Sequence, residues 1–178
     1  GASLLAMDVN GNAYVLNKRV ALETIASKLA PTGTELWRRM NMSDFNTLEL
    51  LTDPRGFATL WLSREEKNNA FNAEMIRELI LALDKVSGDA SLRFLLVRGR
   101  GKHFSAGADL AWMQQSAELD YHTNLDDARE LAELMYNLAK LKIPTLAVVQ
   151  GAAFGGALGL ISCCDMAIGA DDAQFCLS

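Results

Sequence analysis

The chain reads as an α/β protein. Three observations predict this: short apolar runs rich in β-branched and aromatic residues, helical apolar stripes between them, and glycine-rich turns where the two meet. Half of the 178 residues are apolar, enough for one core of ordinary domain size. The net charge of −5 gives no general pull toward nucleic acid or an anionic membrane. An anionic ligand would therefore need a local basic patch.

Residues 1–41 stand apart. Asp8-Val9-Asn10-Gly11-Asn12 joins two short apolar runs, and Asn-Gly is a strong hairpin turn. The same residues open like a calcium loop, but Ala13 stands where that loop needs glycine and no glutamate closes it. Residues 19–30 place Leu22, Ile25, Ala26 and Leu29 on one helical face, and Pro31 and Gly33 stop the pattern. Residues 35–40 offer one more turn. No chemistry is visible here. Met42 looks like a natural start, so the expected division is an N-terminal extension, 1–41, and a main domain, 42–178.

Residues 47–51 and 57–62 are strand-like. Asp53-Pro54-Arg55-Gly56 between them suits a turn with proline second and glycine fourth. A polar loop covers 63–71. Asn72 can cap the next helix, which sets Ile76, Leu79, Ile80, Leu83 and Val86 on one face and ends at Gly88. Phe94-Leu95-Leu96-Val97 is a wholly apolar strand of the buried kind. Arg98-Gly99-Arg100-Gly101-Lys102 then concentrates positive charge, as a solvated loop or a phosphate contact. Its glycines fit neither the Walker nor the Rossmann spacing.

The stretch His103-Phe104-Ser105-Ala106-Gly107-Ala108-Asp109-Leu110 follows, nearly bare of reactive side chains, and Asp109 favours a helix start. Residues 123–141 predict a long amphipathic helix with Leu131, Leu134, Met135, Leu138 and Leu141 inward. Residues 145–149 read as a buried strand. They run into a second bare stretch, Gly151-Ala152-Ala153-Phe154-Gly155-Gly156-Ala157-Leu158-Gly159, and a helix to about Cys164. Residues 166–170 and 174–177 read as two more strands.

Residues 143–164 carry no charge and are long enough to span a bilayer. Gly151, Gly155 and Gly159 recur as in packed transmembrane helices. That makes a single-pass membrane or interaction protein the competing class, but Pro144 and Gln150 favour strand and turn. The three cysteines form neither a disulfide framework nor a metal spacing, which suits reduced, buried thiols in a cytoplasmic-type compartment. Two histidines make a histidine-rich metal site improbable, and no Gly-x-Ser-x-Gly elbow is present.

What the residues do offer is two glycine-rich turns, each opening a helix. Small residues let another molecule approach main-chain N–H groups, and two such groups converging on one carbonyl oxygen make an oxyanion hole. Close helix–strand packing alone would explain the same glycines.

The residues His103–Leu110, Gly151-Ala152-Ala153-Phe154-Gly155-Gly156 and Cys164-Asp165-Met166-Ala167, with Arg64 and Asn69-Ala70-Phe71-Asn72, resemble the crotonase (enoyl-CoA hydratase/isomerase) superfamily. Order and spacing agree over residues 45–178. The resemblance implies a spiral of ββα turns with two stacked sheets, a C-terminal helical part beyond this chain, and assembly as trimers or hexamers. It implies an acyl-CoA substrate, with coenzyme A as part of that substrate and no permanently bound cofactor. Its oxyanion donors would be the N–H groups of Ala108 and Gly156. Lys67, Asn69, Ala70, Ala106, Gly107, Asp109, Leu110 and Gly155 would line the CoA and substrate site. The first of two family glutamates would fall at Gly159, where this chain has none, and the second at the first residue past Ser178. A one-glutamate site suits a Δ3,Δ2-enoyl-CoA isomerase as well as a hydratase. Ala157-Leu158-Gly159-Leu160 with Cys163-Cys164-Asp165 most resembles hydratases of branched glutaconyl-type CoA esters in leucine breakdown. Asp165 reads as structural.

Overall fold

The computed structural model describes residues 45–177 in full, together with the backbone of two strands nearer the N-terminus. Those two, β1 (Ser3–Met7) and β2 (Ala13–Asn17), pair antiparallel with Met7 opposite Ala13. The turn residues themselves, the helix expected over 19–30 and the turn expected over 35–40 lie outside the described residues.

The main sheet has five strands: β3 (Leu48–Asp53), β4 (Phe57–Leu62), β5 (Phe94–Gly99), β6 (Thr145–Val149) and β8 (Met166–Gly169), in the order β3-β4-β5-β6-β8. β3 and β4 form a hairpin closed where the Gly56 N–H donates to the Asp53 carbonyl at 2.8 Å. Every other neighbouring pair is parallel. Parallel neighbours need crossovers, and three helical crossovers supply them. The first is α1 (Ala73–Gly88). The second combines α2 (Leu110–Ala117) and α3 (Tyr121–Ala139). The third holds β7 (Ala152–Phe154) and α4 (Gly156–Ser162). β7 pairs parallel with β9 (Gln174–Cys176) in a second, small sheet.

Alternation along the strands decides which side is buried. Ala58, Leu60 and Leu62 of β4, Leu95 and Val97 of β5, and Ala147 and Val149 of β6 point to one face and join the core. α1 contributes Met75, Ile76, Leu79, Ala82, Leu83 and Val86 to the same core, so its predicted stripe is wider than expected at Met75 and Ala82 and reaches only partial burial at Ile80. The Asn72 side chain caps this helix by accepting from the Met75 N–H at 2.9 Å.

The structure corrects expectations about helix bounds, the uncharged run and the cysteines. The second-crossover helix α3 starts at Tyr121 rather than 123, because Asp120 caps it by accepting from the amides of His122 and Thr123. Its five expected inward residues do face the core: Leu134 and Leu138 are fully buried, and Leu131, Met135 and Leu141 pack against it partly buried. The uncharged run 143–164 is a strand, a short strand and a helix, not one span, and no helix among the described residues is long and apolar enough to cross a membrane. Finally, Cys176 is exposed and Cys163 and Cys164 are half-buried. All of β9 is exposed, because among the described residues it pairs with β7 alone. Burial pushes the Cys164 thiol up to about 12, which keeps it protonated at neutral pH.

Asp165 has the structural role expected of it. Its Oδ2 accepts from the N–H and the hydroxyl of Thr145 at 2.8 and 2.9 Å, and its own N–H donates back to the Thr145 hydroxyl. That reciprocal set fixes the start of β6 against the turn into β8. Leu79, wholly buried at the centre of α1, is the plainest test of the core. Leu79→Ala should lower unfolding free energy by about 2–5 kcal/mol, read from the urea midpoint at unchanged slope.

Candidate active site

Parallel neighbouring strands end at the same edge of the sheet. The segments after β4, β5 and β6 therefore leave side by side, and ligands of open α/β sheets bind outside such carboxyl ends. These three segments, 63–71, 100–109 and 150–155, contain most of the site residues expected from the sequence; Leu110, Gly156 and Gly159 lie in the helices that follow them.

Asn69 ties the first segment to the second. Its backbone is left-handed, at φ 55°, and its side chain is completely buried. The side-chain oxygen accepts from the Arg64 N–H at 2.9 Å, and the amide nitrogen donates to the carbonyls of Arg100 and His103, both at 2.9 Å. Lower down, the Ala106 N–H donates to the Asn68 carbonyl. Phe71 and Ala108 then meet in an isolated parallel bridge: the Phe71 N–H donates to the Gly107 carbonyl at 2.7 Å, and the Asp109 N–H donates to the Phe71 carbonyl at 2.8 Å. In such a bridge Ala108's own N–H faces the opposite side from Phe71.

The second segment is tied to the third just as closely. The Gln150 side-chain amide donates to the carbonyls of Gly99 and Gly101. The Phe104 N–H donates to the Gln150 carbonyl, and Ala152 donates to His103 Nδ1 at 2.9 Å. The His103 ring therefore carries its proton on Nε2. Ser105 and Ala153 form a second isolated parallel bridge. Gly151 and Gly107 are glycines for different reasons. At Gly151, φ is +56° and a Cβ would stand 2.3 Å from the Lys102 carbonyl oxygen. At Gly107, φ is +91° and a Cβ would press the Phe154 carbonyl at 3.0 Å. Both positions forbid a side chain because two backbones pass against each other.

The outcome is a narrow region in which Gly107 touches Phe154 and Gly155, and the Phe71 ring faces Gly156. From Phe104 to Asp109 every amide except that of Ala108 has an acceptor. Around the second turn the amides of Ala152, Phe154 and Gly155 are likewise spent. Among the described residues, the N–H groups of Ala108 and Gly156 donate to nothing. Ala108 is also exposed while Gly107 and Asp109 on either side of it are buried.

The side chains near these donors are committed to the protein itself. Asp109 caps α2 by accepting from the Ala111 N–H, and its other oxygen accepts from Arg64 at 3.0 Å. The two side chains are only 13% and 10% exposed, and Arg64 also donates to the Ala70 carbonyl at 2.6 Å. Burial pushes the Asp109 carboxyl up, but the Arg64 hydrogen bond, the amides of Ala111 and Trp112 and the Arg64 charge outweigh it. The group stays below the usual carboxylate range. Asn69 and Asp109 were expected beside a ligand. The structure brings them to the site but uses their side chains as struts. Lys67 ends a short 3-10 turn (Glu65–Lys67) and is exposed, as are Leu110 and Lys102. Ala70 is buried; Ala106 and Gly155 are partly open.

The basic run is also largely spent. The guanidinium carbons of Arg98 and Arg100 lie 4.3 and 4.0 Å from the Trp61 ring centre, and Arg100 pairs with Glu49. Burial first, and the Arg100 charge second, hold the Arg98 pKa below its usual value. Trp61 and Glu49 sit opposite each other across the β3–β4 hairpin, a pairing no local pattern announces. No three histidines, cysteines or carboxylates among the described residues gather as a metal site would need. Sequence reasoning missed Gln150 and His103 as loop ties. A polar residue placed directly between a buried strand and an obligatory glycine was the available signal for Gln150.

The fold and site thus define an α/β protein that presents two unspent backbone donors at the carboxyl edge of a parallel sheet. A sequence model for enoyl-CoA hydratase/isomerase matches residues 52–178, and the chain belongs to that family. A crystal structure of an enoyl-CoA hydratase from Shewanella pealeana is similar, at TM-score 0.74 and 45% identity, over 83% of this chain and 54% of that one. Crotonyl-CoA hydratase of Syntrophomonas wolfei is 33% identical over 131 residues, 71% of this chain and 48% of the relative. Trans-2-decenoyl-[acyl-carrier-protein] isomerase of Streptococcus mutans is 33% identical over 121 residues, 67% of this chain and 46% of the relative. The chain spans about half the length of the curated relatives it matches.

A carboxyl whose folded pKa is depressed stabilises the native state above its unfolded pKa and loses that effect as pH falls through the folded value. Asp109→Asn should accordingly lower stability at pH 7 by about 2–3 kcal/mol, the loss of a charged, mostly buried hydrogen-bonded pair. The gap from the unsubstituted chain should close as pH falls below about 4. Urea midpoints at pH 7 and pH 3 check it.

Proposed function

We propose that the amides of Ala108 and Gly156 form an oxyanion hole for the carbonyl oxygen of an acyl-CoA thioester, and that the protein is a hydratase acting at the α,β double bond of a 2-enoyl-CoA. The observation that carries this reading is that these two N–H groups have no acceptor among the described residues, although the amides of Gly107 and Asp109 beside the first and of Gly155 before the second do. Family membership supplies the reaction class. Water adding across the double bond leaves negative charge on the thioester oxygen, and donors already fixed in place stabilise that charge without reorganising. The loop ties through Asn69, Gln150 and the two isolated bridges provide that fixing.

In this reading the CoA end lies along the Lys67–Ala70 and Ala106–Gly107 backbones, and coenzyme A arrives and leaves as part of the substrate. The sequence texture around Gly159 makes a branched glutaconyl-type acyl group, as in methylglutaconyl-CoA, one candidate substrate beside simple 2-enoyl-CoA esters. Assembly as trimers or hexamers belongs to the same proposal, as does the separate standing of residues 1–41.

Gly159 favours a second reading. It stands where the family's water-activating glutamate is expected, and it cannot transfer a proton. An isomerase that moves one proton with one base needs no acid there.

Proline is tolerated at the first position of a helix and has no N–H. Gly156 occupies that position in α4, and a Cβ there would meet only the Phe71 ring, at 3.6 Å. Gly156→Pro should therefore leave the fold intact and lower turnover about 10²–10³-fold. Hydration of crotonyl-CoA and isomerisation of a 3-enoyl-CoA, assayed side by side on the full-length protein with a thermal melt, test both readings. Unchanged turnover in the folded variant would remove the oxyanion-hole assignment, and isomerisation without hydration would select the second reading.

A further inference from the structure

Gly159 lies one turn along α4 from Gly156, so about 5 Å separates them along the helix axis. A Cβ at Gly159 would stand 3.1 Å from the Met135 Cε and 3.4 Å from its Sδ, and it would meet nothing else within 4 Å beyond its own helix. At Gly156 the corresponding neighbours are two carbons of the Phe71 ring, at 3.6 and 3.9 Å. Phe71 is the residue bridged to Ala108. The side of α4 that carries the proposed donor is thus faced by a ring at one end and a thioether at the other, with no charged atom at either contact.

Met135 is placed to be more than core filling. Leu134 and Leu138 of α3 are sealed in the core, whereas Met135 is only partly buried and packs at its edge. An unbranched thioether adapts to irregular apolar partners better than a branched side chain does. An acyl chain whose carbonyl oxygen sits on the Ala108 and Gly156 amides would pass this thioether within its first few carbons.

Resting on the thioester reading above, we infer that Met135 is a specificity-determining residue: it forms the wall beside the early carbons of the acyl group, and it selects thioesters whose acyl end is apolar and uncharged. This narrows the substrate class away from glutaconyl-type esters, whose second carboxylate would lose water against a thioether, with no cation within 4 Å of the Gly159 Cβ position among the described residues.

Calorimetric binding to the full chain, with hexanoyl-CoA, glutaryl-CoA and free CoA as probes, tests the inference. Hexanoyl-CoA should bind at least about tenfold tighter than glutaryl-CoA, the discrimination an apolar wall provides. Met135→Ala should reduce the hexanoyl-CoA to free-CoA affinity ratio by about tenfold. Met135→Lys should reverse the preference in favour of glutaryl-CoA, a gain that misfolding could not produce. If hexanoyl-CoA binds well and both variants keep its advantage, the role of Met135 is overturned while the thioester reading stands. If glutaryl-CoA binds as tightly as hexanoyl-CoA to the unsubstituted chain, the substrate class is overturned. If neither thioester binds better than free CoA, the thioester reading fails and this inference with it.

Discussion

Burying an amide side chain without partners is costly, and Asn69 avoids that cost by joining two chain segments. Its carboxamide closes the segment after β4 on itself through the Arg64 N–H and grips the segment after β5 through two carbonyls. Other contacts cross the same gap beside it. Phe71 meets Ala108 only if the two segments run alongside each other, and Asp109 reaches Arg64 only across the same gap. The left-handed backbone at Asn68 and Asn69 is the local strain that the arrangement carries, and asparagine bears it more easily than most residues.

From that tie the construction proceeds outward in layers. The segment after β5 is held from one side by the segment after β4 and from the other by the segment after β6. Each contact uses main-chain groups that would otherwise be unsatisfied at a sheet edge. Among the amides this leaves without acceptors in the described residues are those of Ala108 and Gly156, on separate crossovers. The parallel topology brings those crossovers together, because β5 and β6 are neighbours whose ends must coincide. Side chains then do the supporting work. Arg64 and Asp109 brace the loop beside Ala108, and Asp165 fixes β6 through Thr145.

Much of this was legible in the residues. The α/β class followed from periodicity, and the strands at 57–62, 94–97 and 145–149 and the Asn72 cap lie where the patterns put them. β7 was not legible, because three residues carry no period and its partner β9 lies a full crossover away. The two bare stretches were visible as places without side chains, but the reason for each glycine was not. Gly151 is dictated by the Lys102 carbonyl and Gly107 by the Phe154 carbonyl, contacts distant in sequence. Asn69 and Asp109 were legible as site residues only through family resemblance, which does not distinguish a strut from a ligand contact. The surroundings of the basic run were hidden for a related reason: charge is visible in a sequence, but the stacking of Arg98 and Arg100 on Trp61 and the pairing of Arg100 with Glu49 across a hairpin are not.

The Ser105–Ala153 bridge joins two crossovers through backbone alone. Away from Gly107 and Gly151, where no side chain fits, and from the buried bridge residues themselves, an arrangement held this way depends little on side-chain identity, because the groups that set its shape are present in every amino acid except proline. Variation can therefore change what surrounds the donors, on the outer turns of α3 or along α4, while the donors stay in place. A frame of this kind is a platform for divergence: new chemistry requires new side chains at its rim, but no new fold.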